Sequence, residues 1–288
     1  MNNSKIKKII IGSAQFGMDY GIANKKGKIL KNGITSILDL AIKNGIDSVD
    51  TAKSYGESEK NLGEYFREKP CNSWKVITKI NKIKENVLSQ LIDSKKKLNY
   101  TPNTILAHSA QVYLNPKYQK ELIDSKDEVG FKKIGVSIYN IKELDDILNS
   151  DLKPDIIQIP INILDTRFYD NALGHLYNMD IEIHARSIFL QGLFYLSDNQ
   201  IKMRFKDVFP VIQKLKDIAG KSNLTIAQLS LLWLSGLKEI KKIIIGLDTA
   251  EHLSYHIKTL NMDVGLGIFE EALAINYTNE KVLNPSFW

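Results

Sequence analysis

An acid, a phenol, an ammonium and an imidazole stand at or just past the ends of three short apolar runs. Asp50 lies in Ser48-Val49-Asp50-Thr51-Ala52, and Tyr55 follows it. Lys79 closes Lys75-Val76-Ile77-Thr78-Lys79, and His108 closes Thr104-Ile105-Leu106-Ala107-His108. Runs of this length, rich in β-branched residues, read as β-strands. If the three strands are parallel neighbours, their C-terminal ends gather the four side chains around one pocket. The chemistry such a set can perform is proton transfer.

A tyrosine ordinarily loses its proton near pH 10. A lysine ammonium within ~4 Å favours the phenolate by up to about 4 kcal/mol at an effective dielectric near 20, so Lys79 is expected to acidify Tyr55. Asp50 pairs with Lys79 in this reading, and His108 meets a substrate carbonyl or relays the proton. A phenol tuned this way protonates a carbonyl oxygen as a hydride reaches the carbon, an effect worth roughly 10²–10⁴-fold. Singly, Asp50 reads as a cap, Lys79 as a surface lysine and Tyr55 as a core aromatic. Together at one edge they read as a site.

The elements that must position them alternate. Strands are expected at 8–11, 48–52, 76–80, 105–108, 133–137, 156–161, 181–187 and 242–246. Helices are expected at 34–43, from about 58, and at 87–98, 118–127, 141–148, 171–179, 208–218 and 225–237. Strict β/α alternation implies a parallel sheet, and eight repeats imply an α/β (β/α)8 TIM barrel, read as a single domain over residues 1–288. An open doubly wound sheet is the alternative. Against it, the first strand runs into Gly12-Ser13-Ala14-Gln15-Phe16-Gly17, which is not a spaced GxGxxG. Barrel sites form at the C-terminal ends of strands, where all four residues fall.

The chain has 288 residues and a net charge of +6, which invites a nucleic-acid reading. Its arginines are Arg67, Arg167, Arg186 and Arg204; lysine carries the rest of the positive charge, interspersed with acids. That pattern reads as solvated faces, so no nucleic-acid partner is expected. The lone cysteine, Cys71, excludes an internal disulfide, suits a reducing compartment and reads as structural in a loop. The Ile9-Ile10-Ile11 run is too short for a signal-peptide core, and no stretch reaches the ~20 apolar residues of a membrane helix. A cytoplasmic location without membrane attachment is expected.

The segment Asp50-Thr51-Ala52-Lys53-Ser54-Tyr55-Gly56-Glu57-Ser58-Glu59, followed by Leu62-Gly63, resembles the DTAxxYGxSE segment of the aldo-keto reductase superfamily. Lys79, His108-Ser109, Gly135-Val136-Ser137, Gln158, Ala185-Arg186-Ser187 with Gly192, and Asn284-Pro285 before Trp288 extend the likeness over essentially the whole chain. The resemblance implies an (α/β)8 barrel and NADPH-dependent carbonyl reduction without metal. It makes Tyr55 the general acid, tuned by Lys79 and Asp50, with His108 orienting the substrate. Ser137 and Gln158 would hold the nicotinamide carboxamide. Arg186, Ser187, Gly192, Gly246, Asp248 and His252 would complete the cofactor site. Arg186 stands where many members stack a tyrosine, and Ile138 where an Asn is common. His252 replaces a usual arginine, and Tyr255-His256 a Glu-Asn pair. The acid Asp248 would repel a 2′-phosphate, unless it and Thr249 simply cap the next helix. The choice between NAD and NADP is left open, with NADH expected to serve at least as well as NADPH.

The insert Met18–Asn24 resembles a subgroup met in bacterial surface-polysaccharide pathways, which points to a sugar or nucleotide-sugar carbonyl touched by Phe16, Asp19 and Tyr20. Two rival readings stand beside this one. A barrel aldolase or lyase would form a Schiff base on Lys79, which needs a depressed lysine pKa, whereas Asp50 should raise it. A nucleotide-sensing subunit would keep the fold and bind cofactor with little turnover.

Overall fold

The computed structural model describes residues 3–70, 73–81, 85–170 and 172–288. Cys71 lies outside the described residues, as does Asn171 at the start of one expected helix. Eight parallel strands close into a barrel: β1 (Ile9–Gly12), β2 (Ser48–Asp50), β3 (Lys75–Ile80), β4 (Thr104–Ala107), β5 (Lys133–Ser137), β6 (Ile156–Pro160), β7 (Glu182–Arg186) and β8 (Ile240–Gly246). Each strand pairs with its neighbours in sequence, and β8 returns to β1 with Gly246 opposite Gly12. The open-sheet alternative is thereby ruled out.

Around the barrel run α1 (Lys31–Lys43), α2 (Ser58–Glu68), α3 (Val87–Leu98), α4 (Pro116–Asp124), α5 (Ile141–Leu148), α6 (Leu173–Asn178), α7 (Ile226–Gly236) and α8 (Ala250–Leu260). Local signals set their ends. Asn86 caps α3 by accepting from the Ser89 amide, and Thr225 opens α7 through a reciprocal capping box with Gln228. The continuous helix expected over 118–127 is instead two pieces, α4 and Lys126–Val129, broken at Ser125. There the Ser125 hydroxyl donates to the Glu121 carbonyl, competing with the helical ladder. The connection from β7 to α7 carries a further helix at Asp198–Arg204, which the apolar periodicity does not announce, besides the expected one at Phe209–Gly220.

Most apolar burial lies between sheet and helices, where strands such as Ile9–Gly12 are wholly buried. A smaller apolar plug of Ile10, Ile77, Leu106 and Ile156 fills the barrel interior. Polar side chains sit above it at the C-terminal mouth, so the plug forms the floor of the site. Among the described residues no helix is long and apolar enough to cross a membrane.

Gly63 explains the Leu-Gly pair of the sequence. On α2 it faces the C-terminal end of α3, and a Cβ there would collide with the Lys97 carbonyl oxygen. Gly63→Ala is therefore expected to destabilise the fold by roughly 1–3 kcal/mol through overpacking. Urea unfolding measures it; an unchanged midpoint would mean that this contact does not set the α2–α3 spacing.

Candidate active site

The mouth of the barrel opens into a cavity of about 570 Å³. Tyr55, Lys79, Asp50 and His108 all line it. Asp50 ends β2, where Gly12 of β1 and Ile77 of β3 flank it, and Lys79 projects from β3 beside it. The two form a buried ion pair through Lys79 Nζ and Asp50 Oδ1. Lys79 Nζ also donates to the Thr51 carbonyl at 3.1 Å and to the Tyr55 hydroxyl at 3.5 Å. All three ammonium protons thus have acceptors, and the amine is committed to its surroundings rather than free to attack a carbonyl.

Tyr55 reaches this position on a tight loop between β2 and α2. Its amide donates to the Ala52 carbonyl, and its own carbonyl accepts from the Ser58 amide. Gly17 makes room for that loop, since a Cβ there would strike the Tyr55 carbonyl. The His108 ring meets Tyr55 edge-on at 5.6 Å between centroids. His108 Nδ1 lies 3.0 Å from the Ser54 hydroxyl.

Two electrostatic expectations need correction. The Tyr55 phenol is pushed above its ordinary value, chiefly by burial and then by the Asp50 carboxylate, with Arg186 pulling the other way. Lys79 is pulled below the usual amine value because burial of the ammonium outweighs the attraction of Asp50. The lysine therefore does not give Tyr55 a net acid shift in the resting site. A proximity estimate omits the water lost by both groups, and here desolvation is the largest cause on each.

The opposite wall comes from β5 to β7. Ser137 and Gln158 are paired across the sheet and both face the cavity. Gln158 Nε2 donates to Asp50 Oδ2 at 2.6 Å, while its Oε1 is buried with no partner. Arg186 Nε donates to the Ser137 Oγ at 3.0 Å, which leaves the serine's own O–H free to donate. One spare O–H donor and one spare buried acceptor match a primary carboxamide, which offers an oxygen acceptor and an NH₂ donor. The residues present fit the nicotinamide group.

Ser187, Gly192, Gly246, Asp248, His252 and Tyr20 also line the cavity. Ser187, Leu190 and Gln191 have positive φ, an uncommon conformation for residues with a side chain and one that clusters at functional loops. The expected double cap of α8 resolves into one: Thr249 accepts from the His252 amide at 3.3 Å, whereas Asp248 Oδ1 is buried without a partner. Asp248 Oδ2 lies 3.9 Å from His252 Nδ1.

Phe16 and Asp19, expected at the substrate, are not on the cavity wall. Phe16 is fully buried in the core between barrel and helices. Asp19 turns to its own loop and accepts from the Lys28 amide at 2.7 Å. An apolar ring next to a strand end and an acid in a glycine-flanked loop each satisfied a local need. Sequence reasoning also missed Tyr139 and Gln191 on the wall, and Ser54, which bonds the wall residue His108. Ser54 escaped because only its fold neighbour His108 gives it meaning. Tyr139 carries the Arg186 guanidinium on its ring at 4.2 Å. Gln191 donates from Nε2 to the Tyr20 hydroxyl at 3.0 Å, tying the β1 and β7 loops. No periodicity marks contacts between loops so distant in sequence.

The comparisons bear on the family and the fold. A family model described as "Aldo/keto reductase family" matches residues 8–264. Comparison with curated proteins gives no match. Among solved structures, the chain is similar to a thermostable aldo-keto reductase in complex with the inhibitor epalrestat (19% identity, 93% of this chain and 95% of that one, TM-score 0.72). It is also similar to an aldo/keto reductase from Klebsiella pneumoniae in complex with NADP and acetate (14%, 92% and 89%, TM-score 0.66). A third likeness is to an aldo-keto reductase from Bacillus halodurans in its holo form (13%, 95% and 94%, TM-score 0.76). At these identities the likenesses speak for the fold, and the family model spans nearly the whole chain. The chain belongs to the aldo/keto reductase family, whose enzymes reduce carbonyls with NAD(P)H.

Proposed function

We propose that this chain performs that reduction at the barrel mouth, with Tyr55 as general acid. The observation that carries the assignment is the convergence of Tyr55, Lys79, Asp50 and His108 opposite the spare donor of Ser137 and the spare acceptor of Gln158. When bound, the dinucleotide supplies a hydride to the carbonyl carbon. Ser137 would donate to the carboxamide oxygen and Gln158 Oε1 would accept from its nitrogen, so these two residues would hold the nicotinamide. Tyr55 gives its proton to the carbonyl oxygen as negative charge develops there. The ammonium of Lys79, 3.5 Å from that hydroxyl, stabilises the phenolate that results. Asp50 holds Lys79 in place. A raised phenol pKa suits this role, because the acid is fully protonated when the substrate arrives.

His108 is pulled down to about 3, chiefly by burial and then by Lys79 and Arg186. Its ring is neutral at physiological pH. With Nδ1 accepting from Ser54, the proton sits on Nε2, which can donate to the substrate oxygen. Tyr20, Asn24 and Lys25 supply polar groups on the outer wall. That lining favours a hydroxylated substrate such as a sugar or nucleotide-sugar carbonyl. We place this work in the cytoplasm, in keeping with a single cysteine and no expected membrane helix. Against the Schiff-base reading stands the full commitment of the Lys79 ammonium. The nucleotide-sensing reading predicts tight binding with no turnover across aldehydes, ketones and sugars.

Sites that prefer NAD commonly present a carboxylate to a ribose hydroxyl. The buried, unpartnered Oδ1 of Asp248 offers such an acceptor here. The same carboxylate opposes a phosphate.

These assignments have measurable consequences. Tyr55→Phe should lower turnover by roughly 10²–10⁴-fold with cofactor affinity, read by fluorescence titration, nearly unchanged; a loss under about tenfold would remove Tyr55 from the acid role. The kcat/KM with NADH should equal or exceed that with NADPH, and a large NADPH preference would contradict the reading of Asp248. The His108 ring should show no titration by NMR between about pH 8 and 5, against a midpoint near 6.5 for a free histidine. The sign is fixed by linkage: the unfolded chain takes up a proton that the fold refuses, so His108's contribution to stability is lost as pH falls from about 6.5 toward about 3.

A further inference from the structure

Among the described residues, Arg186 is a cation with no carboxylate paired to it. Its Nε donates to Ser137 Oγ at 3.0 Å, its Nη1 to Ser187 Oγ at 3.3 Å and its Nη2 to the Ile138 carbonyl at 2.7 Å. All three acceptors are neutral. One face of the guanidinium rests on Tyr139. Among the described residues no carboxylate pairs with it. Asp50, the acid of the inner cavity, is already taken by Lys79 and Gln158. His108 is neutral and adds no charge of its own. The guanidinium's field reaches Tyr20, Tyr55, Lys79 and His108, each of which it shifts downward.

Each guanidinium nitrogen is turned to the protein frame, so this group is a fixed charge more than a fork for an anionic substrate. That charge lies one hydrogen bond from the serine assigned above to the carboxamide. An oxidised nicotinamide ring is positively charged, and the reduced ring is neutral. We propose that Arg186 makes the pocket discriminate between the redox states of its cofactor, binding NAD(P)H more tightly than NAD(P)⁺. This inference rests on the proposed placement of the nicotinamide at Ser137 and Gln158.

The two dinucleotide forms share their phosphates, ribose units and carboxamide. Whatever Arg186 contributes to holding those parts cancels in the ratio of the two affinities, and the ring charge does not. For two like unit charges, a separation of ~7 Å would weaken binding roughly threefold in a water-like medium and about fiftyfold at an effective dielectric near 20, so a ratio of about tenfold is expected. A ligand shifts an equilibrium only by its differential affinity, so the bias belongs to the bound couple. Its consequence is directional: the oxidised product of reduction leaves readily and inhibits weakly. An aromatic stack at this position would add no like charge against the oxidised ring.

Fluorescence and calorimetric titration of the wild-type protein with NADH, NAD⁺, NADPH and NADP⁺ tests this. In wild type the reduced form of the better-binding dinucleotide should bind about tenfold more tightly. In Arg186→Gln the ratio should fall toward one, mainly through a gain for the oxidised form. Arg186→Lys keeps the charge and should retain most of the ratio. A wild-type ratio near one overturns the proposal. So does a ratio that survives intact in Arg186→Gln, or a loss shared equally by both forms, which marks Arg186 as an ordinary contact. Failure of every dinucleotide to bind wild-type protein overturns the placement of the cofactor and this proposal with it. Should Arg186→Gln fail to fold, the wild-type ratio and that of Arg186→Lys still decide.

Discussion

The site is organised by one buried ion pair, Lys79 with Asp50. Neither side chain retains appreciable contact with solvent. Charges so placed lose their hydration, and the pair survives because every polar atom finds a partner. Asp50 receives Lys79 on one oxygen and Gln158 on the other, while Lys79 reaches the Thr51 carbonyl and the Tyr55 hydroxyl. Removing one member of such a pair typically costs about 3–5 kcal/mol, because the other is left buried and uncompensated. The pair is thus a structural constraint as much as a chemical one. It binds β2, β3 and β6 across the barrel's mouth and sets where the Tyr55 phenol sits.

Neighbouring features make sense as answers to that constraint. The interior plug of Ile10, Ile77, Leu106 and Ile156 seals the pair from below. Burial in the same dry volume is the chief reason that Tyr55 rises in pKa and His108 falls; the Asp50 carboxylate adds to the first shift, and Lys79 and Arg186 add to the second. The polar groups of the mouth divide into two kinds. Asp50 and Lys79 satisfy each other, whereas Gln158 Oε1 and Asp248 Oδ1 are buried and unsatisfied. Buried acceptors without partners are rare in folded proteins, and in a cavity they mark places a ligand completes.

The wall between β1 and β7 is of a different character. Gln191 bonds the Tyr20 hydroxyl through its side chain, and its carbonyl accepts from the Ile22 amide at 2.9 Å. Gly192 packs against Ala23 in a backbone conformation that only glycine adopts without strain. These contacts shape the outer cavity from two loops rather than from the sheet. In the proposed reaction these loops would select the substrate, while the strand ends would carry the proton chemistry.

Much was legible in the residues themselves. Alternating apolar runs and helical periodicities report burial on strands and helix faces, which is a local property, so the (β/α)8 order could be read directly. The gathering of Asp50, Tyr55, Lys79 and His108 follows from the same logic, because a parallel barrel sends every strand end to one mouth, whereas Ser137 and Gln158 were legible only through the family resemblance. Phe16 and Asp19 could not be assigned this way, since whether a side chain beyond a strand enters the core, its own loop or the cavity depends on where the loop turns. The sign of the pKa shifts on Tyr55 and Lys79, the pairing of Ser54 with His108, and the lack of an acid paired with Arg186 among the described residues were likewise decided by the tertiary structure. Each depends on how much water remains and which distant charges close around a group, and neither quantity is encoded in any one stretch of chain.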